Sequence, residues 1–418
     1  MTARSHCCAP GLSPCMKSQK WKRLAVVFVA GMVVVHGTLF WQLRGRVLSG
    51  YGDFTILYSS GKIVAAGLGR QLYDSALQYR TQLEFAPHVA VRNGALPYNH
   101  PPFEAVLFVP LAKLPYRSAY FTWIAINLLV LIFIYRRLRP QVGVLQEQSL
   151  GLWLLASLGY FPEFIALVQG QDILLLLLIY ALTYLALKRG ADLAAGSWLA
   201  LGLFRPQETL PLLILLLFRR RWKLLSGFAL VAVMLGIVSV TTIGWKETLA
   251  YPRFVWTIEN RGNGVIAPVD MPNLRGLVSV VTGTLPSKWV TVVAAALSAA
   301  AVVWAGLSWK RESGKENLDL QFALAVTATM LASYHAYPYD LSLLLIAVAL
   351  VTSYQWQEPR RVSVRLWIPM LLLFFSPLHL LLWLRWQKAS LMALVLIAWA
   401  VGMWREIRKR PEPLAAVN

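Results

Sequence analysis

Twelve polar or ionisable residues stand at or just inside the ends of long apolar runs. They are Asp53, Asn99, His100, Gln171, Asp172, Arg205, Gln207, Glu208, Asn273, Arg275, His335 and Asp340. An ionised side chain deep in a bilayer costs about 2.5–3.5 kcal/mol on the insertion scale. Any one of these residues is explained by a helix cap or by headgroup water. The whole set facing lipid independently is not, and a shared polar cavity accounts for it better. Such a set offers acids to take a proton and cations to meet developing negative charge.

Asp53 is the sharpest case. Gly52-Asp53-Phe54 opens a predicted helix with Phe54, Leu57, Tyr58, Val64, Ala65 and Leu68 on one face and Ser59, Ser60 and Lys62 off it. Asp at an N-cap contributes about 1 kcal/mol, and the helix dipole favours its ionised form. An ionised carboxylate suits a general base, and both roles are compatible. Asp74, after Tyr73, stands in a similar context and is read as a structural cap for a second helix running to Phe85.

Several chemistries are excluded by motif. The chain has no P-loop, no H-E-x-x-H and no D-x-D, and Gly67-Leu68-Gly69 and Gly262-Asn263-Gly264 are only fragments of a dinucleotide fingerprint. His335 and Asp340 are five apart, a poor helical metal pair, and six His without a cluster predict no metal site. Cys7, Cys8 and Cys15 all lie in the N-terminal tail, so no disulfide framework exists.

The elements that must position these residues are membrane helices. Of 418 residues, 57% are hydrophobic and only 14% charged, against about 25% charged in soluble domains. This rules out a water-soluble, disordered or fibrous chain. Continuous apolar runs between residues 24 and 404 indicate an all-α polytopic membrane protein rather than a barrel. The net charge of +21 sits in seven basic clusters, at 17–23, 136–139, 188–189, 219–223, 310–315, 360–365 and 405–410. Clusters placed between apolar runs mark cytoplasmic loops, not a nucleic-acid surface. The run at 24–41 reads as an uncleaved signal anchor.

With every cluster inside, the runs pair into hairpins whose outer tips are Gln169-Gly170-Gln171-Asp172, Arg205-Pro206-Gln207-Glu208, the 244–288 segment, the stretch from Tyr334 to Asp340, and Arg385-Trp386-Gln387-Lys388. Residues 103–135 must then cross once. As one helix they would be about 50 Å long, so Leu114-Pro115-Tyr116 is expected to break them, leaving 103–113 as a re-entrant or half-helix. The expectation is about 12 spans, organised as a tail at 1–23, a single membrane domain at 24–404 and a tail at 405–418, with both tails cytoplasmic. Two external loops, 42–102 and 244–288, complete it, and the first carries amphipathic helices lying on the membrane surface.

An ordered set of short motifs runs through this frame. Asp53-Phe54 and Tyr58 are followed by Gly69 with Leu72-Tyr73-Asp74, then Tyr98-Asn99-His100-Pro101-Pro102-Phe103. Trp123 with Asn127-Leu128-Leu129 comes next, then Gly170-Gln171, Ala195-Gly196 through Arg205-Pro206-Gln207, and His335 with Tyr339-Asp340-Leu341. The set resembles glycosyltransferase family 87, the polyprenyl-phosphate-mannose-dependent mannosyltransferases of the GT-C membrane fold. Three departures stand out: Arg205 where the family usually has Lys, Asp172 near where an Asn follows Gly-Gln, and Asn273-Leu274-Arg275 where it often has N-x-S.

The resemblance implies a GT-C-type bundle in the cell inner membrane, with the site on the extracytoplasmic side. It implies transfer of a hexose, with mannose expected, from a polyprenyl-phosphate donor to a lipid or glycan hydroxyl, with inversion and no cofactor. Asp53 would be the general base. Arg205, His335 and Arg275 are the candidates for the donor phosphate, Arg205 first, and Asn99, His100, Gln171, Gln207, Asp340 and Tyr58 for sugar or acceptor. Competing readings are a transporter or flippase of lipid-linked glycans, which two similar six-span halves would favour, and a polymerase or ligase of such glycans. The transferase reading requires Asp53, Arg205 and His335 to converge on one cavity.

Overall fold

The computed structural model describes residues 14–87, 95–218, 221–260, 267–283, 287–309, 318–357 and 363–409. Cys7, Cys8, Asn263, most of both tails, the 310–315 cluster and parts of the 219–223 and 360–365 clusters lie outside the described residues. The regular structure among the described residues is entirely helical, with no strand. Six helices are long and apolar enough to cross a membrane, or eight if each of two bent pairs counts as one span, and five shorter apolar helices accompany them. The chain is an integral membrane protein.

Length and burial sort these helices. Trp222–Ile243 leaves Leu230, Val233, Met234 and Ile237 all more than half exposed, as a lipid-facing span should. Ile173–Lys188 and Leu318–Ala332 have only 16 and 15 residues and are buried almost all round. At 1.5 Å per residue each is about 23 Å long, short of a hydrocarbon core of about 30 Å. Protein rather than lipid surrounds them, and the main apolar core forms about them. The first helix, Pro14–Arg46, is held at the edge by His36, whose ring nitrogens lie 2.7 Å from the Leu158 carbonyl and 2.8 Å from Ser376 Oγ.

Prolines set where several helices begin. Pro102, Pro206 and Pro338 each occupy the first position of a helical segment, where a missing N–H costs nothing and the fixed φ favours the helix. Arg205 and Tyr337, just before their prolines, and His100, two residues before Pro102, are thereby held at helix entrances. The break expected at Leu114-Pro115-Tyr116 is present, between Pro102–Ala112 and Tyr116–Leu138.

The 42–102 segment packs differently from expectation. Helices form at Phe54–Ala65 and Ser75–Leu83, and Asp74 caps the second by accepting from the Leu77 N–H at 2.7 Å. Phe54–Ala65, however, does not lie on a surface with a polar face outward: Ser59 and Ser60 are fully buried. Each serine hydroxyl donates to its own helix backbone, at Ile56 and Leu57, so burial leaves neither unsatisfied. Gly61 makes the burial possible, because a Cβ there would come within 2.6 Å of the Phe108 carbonyl oxygen on Pro102–Ala112. The 244–288 segment folds in part into Trp245–Asn260, which docks on the first loop through Tyr251 Oη donating to the Asn99 carbonyl at 3.1 Å.

Candidate functional site

A cavity of about 240 Å³ opens where the 42–102 and 244–288 segments meet the helix tips, lined by Asp53, His100, Gln171, Arg205, Glu259 and His335 among others. Asp53, Arg205 and His335 thus share one cavity. Asn99 and Gln207 also line it.

Asp53 precedes Phe54–Ala65, yet its side chain does not cap that helix. Its Oδ2 instead accepts from Gln171 Nε2 at 2.7 Å, while its backbone N–H donates to Gln169 Oε1 at 3.2 Å. The Gln171 position follows from Gly170, which takes φ of 66° and closes the Phe161–Gln169 helix. The Gln171 N–H then reaches back to the Ala166 carbonyl at 2.9 Å in a left-handed C-terminal turn. A Cβ on Gly170 would lie 2.6 Å from Phe54 Cβ, so only glycine lets the two chains approach this closely. Trp123 secures the same tip, its indole N–H lying 3.0 and 3.2 Å from the Gly170 and Gln171 carbonyls.

Arg205 is almost fully buried, and its guanidinium is committed to the protein. Nε donates to Asp172 Oδ1 at 2.6 Å, Nη1 to Asp340 Oδ1 at 2.7 Å, and Nη2 to Gln171 Oε1. Gln171 therefore has its oxygen fixed toward Arg205 and its amide N–H toward Asp53. Asp340 does not line the cavity; its second oxygen accepts from the Tyr337 N–H at 2.7 Å. Glu104 and Glu208 are buried in the same quarter.

On another wall, His335 Nδ1 lies 2.7 Å from Glu259 Oε1, and Arg275 Nη1 donates to Glu259 Oε2 at 2.9 Å. Burial alone would raise the Glu259 carboxyl, but His335 and Arg275 together hold it below its usual range. Arg275 also stacks on the Tyr334 ring, 3.9 Å from its centroid, and stays behind the cavity wall. His100 is lowered to about 4, first by burial, with the nearby Arg205 and His335 charges adding to it and Asp172 opposing.

Tyr58 is not on the wall. Its hydroxyl donates to the Leu114 carbonyl at 2.6 Å and its ring packs edge-on against Phe85 and Tyr116. Asn273 caps Leu274–Thr282 and donates to the Ser333 carbonyl, so it too is structural. Sequence reasoning missed Glu259 and Glu104. The first lies on the Trp245–Asn260 helix, inside a segment read only as a loop; the second stands four residues after His100, a spacing visible in the chain.

Chemically, the cavity pairs a carboxylate held by an amide donor with an imidazole oriented by its own acid. Such a site can take a proton from a hydroxyl and meet negative charge on a leaving group. A family model described as glycosyltransferase family 87 matches residues 98–333, more than half of the chain. No curated protein and no solved structure matches it.

Proposed function

The chain belongs to glycosyltransferase family 87, and from that premise we propose that it moves a hexose, mannose being the expected one, from a polyprenyl-phosphate donor to the hydroxyl of a lipid or glycan acceptor. The observation that carries the reading is the Gln171-held Asp53 carboxylate on the same cavity as His335. The acceptor oxygen attacks the anomeric carbon and its proton passes to Asp53. The bond from that carbon to the phosphate oxygen breaks, and the electron pair leaves with the polyprenyl phosphate. One displacement with one base inverts the centre.

His335 faces the leaving phosphate, because Glu259 engages Nδ1 and leaves Nε2 as the other ring nitrogen. Arg205, the first choice for the phosphate from sequence, takes a positioning role here: its charge is shared between Asp172 and Asp340, and it orients Gln171 against the base. Asn99 and Gln207 are the proposed sugar or acceptor contacts.

The wider frame is part of the proposal: a GT-C-type bundle of about 12 crossings, with residues 24–404 as one membrane domain and both tails cytoplasmic. The cavity then faces the extracytoplasmic side of the inner membrane. The basic clusters between spans support that orientation.

The test is transfer from radiolabelled polyprenyl-phosphate mannose in membranes, wild type against Asp53→Asn. Loss of a general base is expected to slow transfer by about 100-fold or more at equal membrane insertion. Equal rates would remove Asp53 from the mechanism.

A further inference from the structure

Behind His100 lies an assembly that the transfer chemistry leaves unused. His100 Nδ1 is 2.7 Å from Glu104 Oε2 and 3.6 Å from Asp172 Oδ2. One donor atom from each of the three falls within 4.8 Å of the others. Atoms bound to one ion at about 2.0–2.2 Å stand about 3–3.5 Å apart, and the two separations straddle that range. The Glu104 and Asp172 side chains are each 1% exposed. Glu104 Oε1 and Asp172 Oδ2 are buried with no N–H or hydroxyl group donating to them.

Charge points the same way. Glu104, Asp172, Glu208 and Asp340 are all buried around Arg205. Arg205 meets Asp172 and Asp340 through one oxygen of each, which leaves Asp172 Oδ2 off the guanidinium. Glu104 Oε2 accepts from Tyr98 Oη at 3.4 Å, and a hydrogen bond links the Glu104 and Asp172 carboxyls, whose proton a bound cation would displace. Buried carboxylates are paired or hold a metal.

We propose that His100, Glu104 and Asp172 form a binding site for a divalent metal ion, with Mn²⁺ or Zn²⁺ the class suited to one imidazole and two carboxylates. No metal motif marks it in the sequence, because the fold brings Asp172 to His100 and Glu104 from a distant part of the chain. His100 lines the cavity, so an ion there is accessible from it and can add positive charge for a donor phosphate. That role rests on the transferase reading; occupancy of the site does not.

The experiment is a titration of the full chain, purified in detergent and stripped with EDTA, with MnCl₂, reading free Mn²⁺ by electron paramagnetic resonance. One ion per chain is expected, displaced by Zn²⁺. Glu104→Gln and His100→Gln are each expected to weaken binding at least about tenfold, the lower bound for loss of even an outer-shell partner. Tyr337→Phe, on another part of the wall, is expected to bind as wild type does. Should Glu104→Gln fail to fold, His100→Gln carries the test, since its side chain is 15% exposed and leaves the core intact. A monodisperse wild type that takes up neither ion at about 1 mM overturns the proposal, as does equal binding by wild type and both ligand variants. Transfer is not read, so failure of the transferase reading leaves this result standing.

Discussion

Arg205 and Arg275 are both nearly fully buried near one cavity, yet their company differs. Arg205 meets Asp172 and Asp340, with Glu104 and Glu208 close by. Among the described residues Arg275 meets one acid, Glu259, and His335 holds the other oxygen of that same carboxylate. The first quarter carries more acid than base. The second carries two basic side chains on one acid. A buried arginine near a pocket is therefore no measure of where an anion binds. What counts is how the neighbours are paired, and the two proposed ligands, a cation beside Asp172 and a phosphate beside His335, rest on that contrast.

The comparison breaks most readily at Arg205. Arg205→Gln strands buried carboxylates, and is expected to cost about 3–5 kcal/mol, read by thermal unfolding in detergent. Arg205→Lys should recover only part, since an ammonium keeps the charge but not the fork. A loss below about 1 kcal/mol, the scale of an exposed pair, would mean that Arg205 does not hold that quarter together. Next comes His335→Gln, expected to lower kcat for transfer by about 100-fold, the scale of removing one stabilising donor, with little change in unfolding. Unchanged kcat would move the phosphate elsewhere.

Acid titration sharpens the Arg275 side. The Glu259 carboxyl is held below its ordinary value of 4.5. Its contribution to stability is therefore complete above that value and is lost as pH falls through the lower folded value. Unfolding temperatures measured from pH 6 downward should show an acid loss in wild type that is smaller in Glu259→Gln. Identical slopes would mean that the Glu259 ion pairs add nothing. The smallest effect is expected at Tyr58, which packs away from the wall: Tyr58→Phe loses one hydrogen bond, about 1 kcal/mol, and leaves transfer unaltered. A clear drop in transfer would return Tyr58 to the site.

Much of the site's membership was legible in the chain. Polar residues at the ends of apolar runs marked Asp53, His100, Gln171, Arg205 and His335, and all of them line the cavity. Helix grammar put both Asp53 and Asp74 at N-caps, and only the structure separates them: Asp74 caps its helix, whereas Asp53 makes no cap and turns to Gln171. Pairing was not legible. Gln171 lies 118 positions from Asp53, and Arg205 lies 135 from Asp340, and nothing local ties such residues together. The same gap explains the Phe54–Ala65 helix, whose serines are polar by type but buried by the approach of Pro102–Ala112.

Hydropathy, proline and glycine acting over a few residues determined that this chain enters a membrane as helices, where many of them start and stop, and which side chains are too polar to face lipid. Tertiary packing alone decided which of those side chains neutralise one another, and so which parts of the cavity keep charge for a ligand. The reason is range: helix formation is decided within a turn or two, whereas an ion pair between helices exists only once the helices have docked.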